Sequence, residues 1–325
     1  MAVTYPVNAT FRPRPPWLGG HLQTVRDRIA RPRYPLPAAE TLMVAVSDGD
    51  RLAVQVHRPK RRPRGPVVAL VHGLGGSAES GYVRASAHGL LAAGFAVARV
   101  DLRGAGLSGG TSAGLYHAGR TDDLRAVLRR LADKMAGEAA TVAPVGFSLG
   151  GNLTLKLLGE PLDGIPVSAG AAISAPLDLA LGTEHLSKVT FGAYERYLIA
   201  KMRRDATRPG SAVTAEERAR VARVRGILDF DNAITAPRNG WRDAAEYYAL
   251  NSAIGFLATI TLPTLIIHAM DDPMIPAAPY RTVDWDALPT LTRQITAHGG
   301  HVGFHGRGSR LPWYVGRVTE FLATR

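Results

Sequence analysis

A chain of 325 residues with 46% apolar content can bury one full α/β core, and the absence of cysteine excludes disulfides and thiolate metal sites. The formal net charge is +12, from 39 Lys and Arg against 27 Asp and Glu, yet no nucleic-acid module or run of stacking aromatics accompanies it, so nucleic acid is not expected as a partner. No stretch approaches the roughly 20 apolar residues of a membrane span, and Met1-Ala2-Val3-Thr4-Tyr5-Pro6 lacks a charged region followed by an apolar core. A cytoplasmic chain is expected, with peripheral contact to an anionic membrane as one outlet for the basic clusters at 12–33, 58–64 and 201–225.

In chain order, residues 42–46 and 52–56 read as a hairpin across Asp48-Gly49-Asp50. Residues 67–71, 96–100, 141–145, 167–173, 264–268 and 291–296 supply six more strands, alternating with helical patterns as a mostly parallel eight-stranded sheet requires. Leu124, Val127, Leu128, Leu131 and Met135 form one apolar helical stripe, with Asp122 and Asp123 in its first turn. A last helix is predicted over 313–322. The interval 173–262 is far longer than one crossover helix, which points to an inserted helical cap. The division is therefore an N-terminal extension (1–40), a core (41–175 and 256–325) and a cap (176–255). Phe191, Tyr194, Tyr197, Phe230, Trp241 and Tyr247 are the cap aromatics available to line an acyl pocket.

Gly146-Phe147-Ser148-Leu149-Gly150 carries the chemistry. A short β-rich run leads into it and an apolar helix, with Leu153, Leu155, Leu157 and Leu158, leads out, which is the layout of a nucleophile elbow. The glycines leave room for a sharp turn, Ser148 presents its hydroxyl, and the Leu149 amide at the helix start can hold an oxyanion. A serine needs a base and an orienting acid. Asp272 opens the Asp-Pro-x-Ile-Pro turn after strand 264–268 and is the expected acid, with Asp271 the fallback. After strand 291–296 comes His298-Gly299-Gly300-His301, where His301 is the expected base and His298 the structural member. His72-Gly73-Leu74-Gly75-Gly76 follows an apolar strand, so the Leu74 amide is the expected second oxyanion donor, with His72 bonding loop backbone. His117 and Asp122 match the His-x4-Asp spacing of acyltransferases, a weak pattern set against a helix-start role for Asp122.

Taken together, His21-Leu22-Gln23-Thr24, the His-Gly-x-Gly-Gly run, Tyr116-His117-Ala118-Gly119-Arg120-Thr121-Asp122-Asp123, Gly146–Asn152, Asp271-Asp272-Pro273 and the 298–304 run resemble the YheT-like α/β hydrolases. Relatives of that family include eukaryotic α/β-hydrolase-domain lipases and phospholipases. Two stretches depart from the family pattern: Asp101-Leu102-Arg103-Gly104 replaces its Asn-Phe-Arg-Gly, and Gly19-Gly20 stands for its Asn-Pro. The resemblance implies an α/β-hydrolase fold and carries nucleophile, acid and base onto Ser148, Asp272 and His301.

The expected function is a serine hydrolase cleaving carboxylic esters with an apolar acyl chain, acting on small-molecule or lipid-like esters. No metal or organic cofactor is implied. The same three residues would also serve an acyltransferase or thioesterase, and a hydrolase scaffold can be retained for binding alone.

Overall fold

The structure is a computed structural model and describes residues 11–325. The stretch 1–6, read above for a leader, lies outside the described residues. Valine- and alanine-rich runs pair into one eight-stranded sheet: β1 (Glu40–Ala45), β2 (Arg51–His57), β3 (Val67–Val71), β4 (Val97–Val100), β5 (Val142–Phe147), β6 (Gly170–Ile173), β7 (Thr264–Ala269) and β8 (Leu291–Thr296). Their order is β1-β2-β4-β3-β5-β6-β7-β8, with β2 antiparallel to both its neighbours, β1 and β4, and every other pairing parallel. β3, β4, β5 and β7 are buried along their whole length, as strands covered on both faces must be, whereas edge strand β1 alternates between water and core. β6 is shorter than the predicted 167–173: before Gly170 only an isolated bridge of Val167 to Val142 forms, made by the Pro166 carbonyl and the Ser168 amide.

Helices α1 (Gly20–Ala30), α2 (Gly81–Ala92), α3 (Thr121–Met135) and α4 (Leu149–Gly159) precede the long interval between β6 and β7. That interval holds α5 (Leu179–Lys188), α6 (Ala193–Thr207), α7 (Ala215–Arg223), α8 (Ile227–Phe230), a π turn (Asp231–Thr235), α9 (Ala236–Arg238) and α10 (Ala244–Asn251). α11 (Ala278–Thr282) follows β7, and α12 (Trp313–Leu322) closes the chain. Leu124, Leu128, Leu131 and Leu153 of α3 and α4 pack on one sheet face, and Val83, Leu90, Val315 and Val318 of α2 and α12 on the other. With both faces filled, the carboxyl ends of the parallel strands are the open edge, where Val71 lies opposite Gly146 and Ala269 opposite Thr296.

Candidate active site

The elbow is forced by lack of space. A Cβ on Gly146 would lie 2.0 Å from the Gly150 carbonyl oxygen, and one on Gly150 would lie 2.4 Å from that of Val71. Between them Ser148 adopts φ 53° and ψ −123°, a conformation that L-residues hold only when their surroundings impose it. Its hydroxyl reaches His301 Nε2 at 3.0 Å, and His301 Nδ1 lies 2.9 Å from Asp272 Oδ2. A carboxylate only accepts, so Nδ1 carries the proton and Nε2 is left to accept from Ser148.

Asp272 is aligned by its other oxygen, which accepts from the Met274 and Ile275 amides at 2.8 and 3.0 Å. Burial pushes its pKa up, but His301, with smaller help from His268 and the Met274 amide, outweighs burial and holds it below the ordinary carboxylate value. Asp271 points elsewhere, accepting from the Gly300 amide at 2.9 Å and meeting His298 Nδ1 at 3.2 Å. Of the two competing pairs, it is thus His301 and Asp272 that meet Ser148, while His298 and Asp271 fasten the neighbouring turn.

The Leu74 and Leu149 amides make no hydrogen bond to a protein acceptor among the described residues, so both donors are open. Gly73 has to be glycine: its Cβ would sit 2.8 Å from that of Ser148. The Leu74 N–H is aimed by its own peptide plane, because the Gly73 carbonyl accepts from His72 Nδ1 at 2.8 Å and from the Gly76 amide at 3.0 Å. His72 Nε2 accepts from the Leu102 amide at 3.1 Å, and burial takes its pKa down to about 4, which keeps the ring neutral in this bracing role.

Several supporting residues lie outside the predicted catalytic set. Tyr82 Oη accepts from the Gly73 amide at 2.9 Å, and Tyr116 Oη from the Gly75 amide at 2.6 Å. Lys201 of α6 donates to the Gly75 carbonyl at 2.6 Å. The His-Leu-Gln-Thr run on α1 supports the base loop: Thr24 Oγ1 accepts from the His301 amide at 2.8 Å, and Gln23 bonds the His305 amide and carbonyl at 2.6 and 3.2 Å. Gly20 packs against the acid turn, where a Cβ would meet the Asp271 carbonyl at 1.8 Å, so Gly19-Gly20 permits a backbone approach that a proline would block.

The site opens into a cavity of about 950 Å³. Tyr194, Tyr197, Phe230 and Tyr247 line it, as do Leu186 and Met202. Two of the expected aromatics do not. Phe191 is 95% exposed at the tip between α5 and α6, because Thr190 and Phe191 both turn left-handed there. Trp241 stacks behind Tyr247, with ring centres 4.8 Å apart, and forms part of the second layer. His117 lines the cavity but is spent on structure: its ring bonds Asn239 Oδ1 and the Gly119 amide, and burial lowers its pKa to about 3. Asp122 is exposed in the first turn of α3, paired with Arg125 rather than with His117.

Residues 66–307 match the family model for the alpha/beta hydrolase fold. The chain belongs to the α/β-hydrolase family. It is similar to YheT of Escherichia coli (strain K12), 34% identical over 98% of this chain and 94% of that protein. It is also similar to the medium-chain fatty acid ethyl ester synthase/esterase 2 of Saccharomyces cerevisiae, 29% identical over 79% of this chain and 62% of that protein. Among solved structures, the esterase Pf2001 of Pyrococcus furiosus shares the fold, with a TM-score of 0.59 at 16% identity over 90% of this chain and 99% of that one. The protein is an esterase- and lipase-type α/β hydrolase. Among the described residues no helix is long and apolar enough to cross a membrane.

Proposed function

We propose that this hydrolase cleaves carboxylic esters with an apolar acyl chain through an acyl-enzyme on Ser148. The observation that carries the reading is the unbroken relay from Ser148 Oγ through His301 to Asp272, with distances of 3.0 and 2.9 Å. Ser148 Oγ attacks the ester carbonyl while His301 Nε2 takes its proton, and Asp272 stabilises the imidazolium. The carbonyl oxygen, now negative, accepts from the Leu74 and Leu149 amides. His301 then protonates the departing alcohol, takes a proton from the water that attacks the acyl-serine carbonyl, and returns it to Ser148 Oγ as the Oγ–acyl bond breaks and the acid leaves.

The segment 176–255 is the proposed cap over a 41–175 and 256–325 core; of the 1–40 extension, the described part from residue 11 onward is proposed to pack on that core. In its support, Leu186, Leu198, Met202 and Phe230, all from between β6 and β7, line the cavity and give an apolar surface for the acyl chain. Fluorophosphonate labelling read by intact mass, on the wild type and Ser148→Ala, tests the nucleophile. A p-nitrophenyl ester series then sizes the acyl pocket. Expected are one adduct in the wild type, none in the variant, and turnover that peaks with chain length. A folded wild type that neither labels nor turns over any ester would overturn the reading.

A further inference from the structure

Four side chains of Arg and Lys that face the cavity differ in whether their charge is balanced. Arg238 meets Glu217 at 2.7 Å, and Arg120 has Asp48 at 3.9 Å. Arg28 of α1 and Lys201 of α6 have no carboxylate oxygen within 4.0 Å among the described residues. Two acids of the same lining have other partners in contact: Asp27 meets Arg26 at 2.7 Å, and Asp205, which also feels the Lys201 charge, meets Arg204 at 3.1 Å.

The two unbalanced cations share one ring. The Arg28 guanidinium carbon lies 4.3 Å from the centre of Tyr197, and Lys201 Nζ lies 4.8 Å from it. An aromatic face stabilises a cation but leaves its N–H donors unused. The Arg28 guanidinium makes no hydrogen bond among the described residues, and the Lys201 ammonium uses one donor, on Gly75 O. That bond fixes the ammonium on the oxyanion loop, one residue beyond Leu74 and two beyond Gly73, which abuts Ser148. Two like charges held on one ring at the wall of a cavity gain from an anion that enters it.

We infer that Arg28 and Lys201 form an anion subsite, and that the preferred substrates are esters whose alcohol half carries a carboxylate or phosphate. The inference rests on the esterase reading above. The alcohol half is assigned because Leu198, Met202 and Phe230 in the same cavity lining suit the acyl chain.

The test compares kcat/KM for matched pairs. The carboxylate arm is 4-butyryloxybenzoate against its methyl ester; the phosphate arm is 1-butyrylglycerol 3-phosphate against 1-butyrylglycerol. In at least one arm the anionic member is expected to be faster by about 10- to 100-fold, the fold-change of one charge-assisted hydrogen bond. Which arm responds identifies the oxyacid. Arg28→Gln and Lys201→Met should each erase most of that ratio, while Arg62→Gln, which removes the same charge from an exposed site that does not line the cavity, should leave it intact. Calorimetric titration of Ser148→Ala with 1-butyrylglycerol 3-phosphate and 4-butyryloxybenzoate reads the subsite without turnover and should show weakened binding in the same two backgrounds. Turnover of the neutral esters with no anionic preference would overturn the subsite alone. Loss of all turnover, with anion binding kept, would overturn the esterase reading alone. An anionic preference unmoved by Arg28→Gln and Lys201→Met would assign it to overall charge and overturn the subsite.

Discussion

At the scale of single residues, the site depends on atoms that have only one place to go. Asp272 gives one carboxylate oxygen to the Met274 and Ile275 amides and the other to His301. In Asp272→Asn the two amides would keep the oxygen, and the Asn NH2 would have to face His301. Nδ1 would then become an acceptor, Nε2 would carry the proton, and Ser148 would lose its base. A fall in kcat of about 10⁴-fold is expected with the fold retained; a loss below tenfold at pH 7 would remove Asp272 from the mechanism. Gly73→Ala tests the oxyanion loop. The new Cβ would lie 2.8 Å from Ser148 Cβ and 3.0 Å from the Phe147 carbonyl, and the latter is backbone that cannot swing aside. Displacing the Leu74 amide should lower kcat by about 10²- to 10³-fold with KM little changed. Wild-type kcat in the folded variant would take Leu74 out of the oxyanion site. These residues were legible because glycine spacing and strand order leave few solutions. Tyr82 and Lys201 were not, since nothing in their local sequence marks a bracing side chain, and Tyr116 stood out only as part of a family motif, without its role as a brace.

At the scale of elements, legibility tracks periodicity. The hairpin, the parallel strands, α3 and α12 follow from apolar patterns that only one packing satisfies, whereas the 176–255 interval is mixed in pattern and its helices are positioned by one another. Phe191 shows the difference. An aromatic in a helical stretch reads as buried, but Thr190 and Phe191, with φ 48° and 51°, break α5 from α6 and turn the ring outward. Because the exposed ring packs on nothing and the left-handed backbone costs an L-residue about 1–2 kcal/mol, Phe191→Gly is expected to be neutral or stabilising by thermal melting. A drop in Tm of several degrees would mean the ring is held by contacts. The π turn carries a second consequence. Asp231 is buried there, and despite hydrogen bonds from Thr235 and Tyr248 burial takes its pKa up to about 6 from 3.8. Between those values the folded chain holds a proton that the unfolded chain has released, so stability falls as pH rises from about 4 to about 6 and stays lower above. Asp231→Asn removes that loss. Urea unfolding should show a gain approaching about 3 kcal/mol at pH 8 and little at pH 4; equal effects at both would refute it.

At the scale of the whole molecule, the sheet must hold its antiparallel edge and its parallel centre in one register, and a buried ion cluster fastens them. Arg103, fully buried after β4, gives Nε and Nη2 to Asp123 on α3 at 2.9 and 2.6 Å, and Nη1 to Asp50 at the β1–β2 turn at 2.7 Å. Asp50 in turn accepts from the Ala113 and Gly114 amides at 2.7 and 3.0 Å, which ties in the loop that leads to Tyr116 and the oxyanion brace. The sequence shows Asp-x-Arg-Gly only as a generic loop, because its partners stand 53 residues before it and 20 after it. Burying three charges costs desolvation that the attractions roughly offset, so the cluster adds little net stability while intact. Breaking it is different. Arg103→Met would leave two buried carboxylates with no cation in contact and only the more distant Arg120 as counter-charge, and a loss of about 3–5 kcal/mol in urea unfolding at pH 7 is expected. Combining it with Asp123→Leu should recover part of that loss, since one orphaned charge goes with the arginine. If Arg103→Met cost less than about 1 kcal/mol, the cluster would be solvated in solution and the sheet's edge would be held by packing alone.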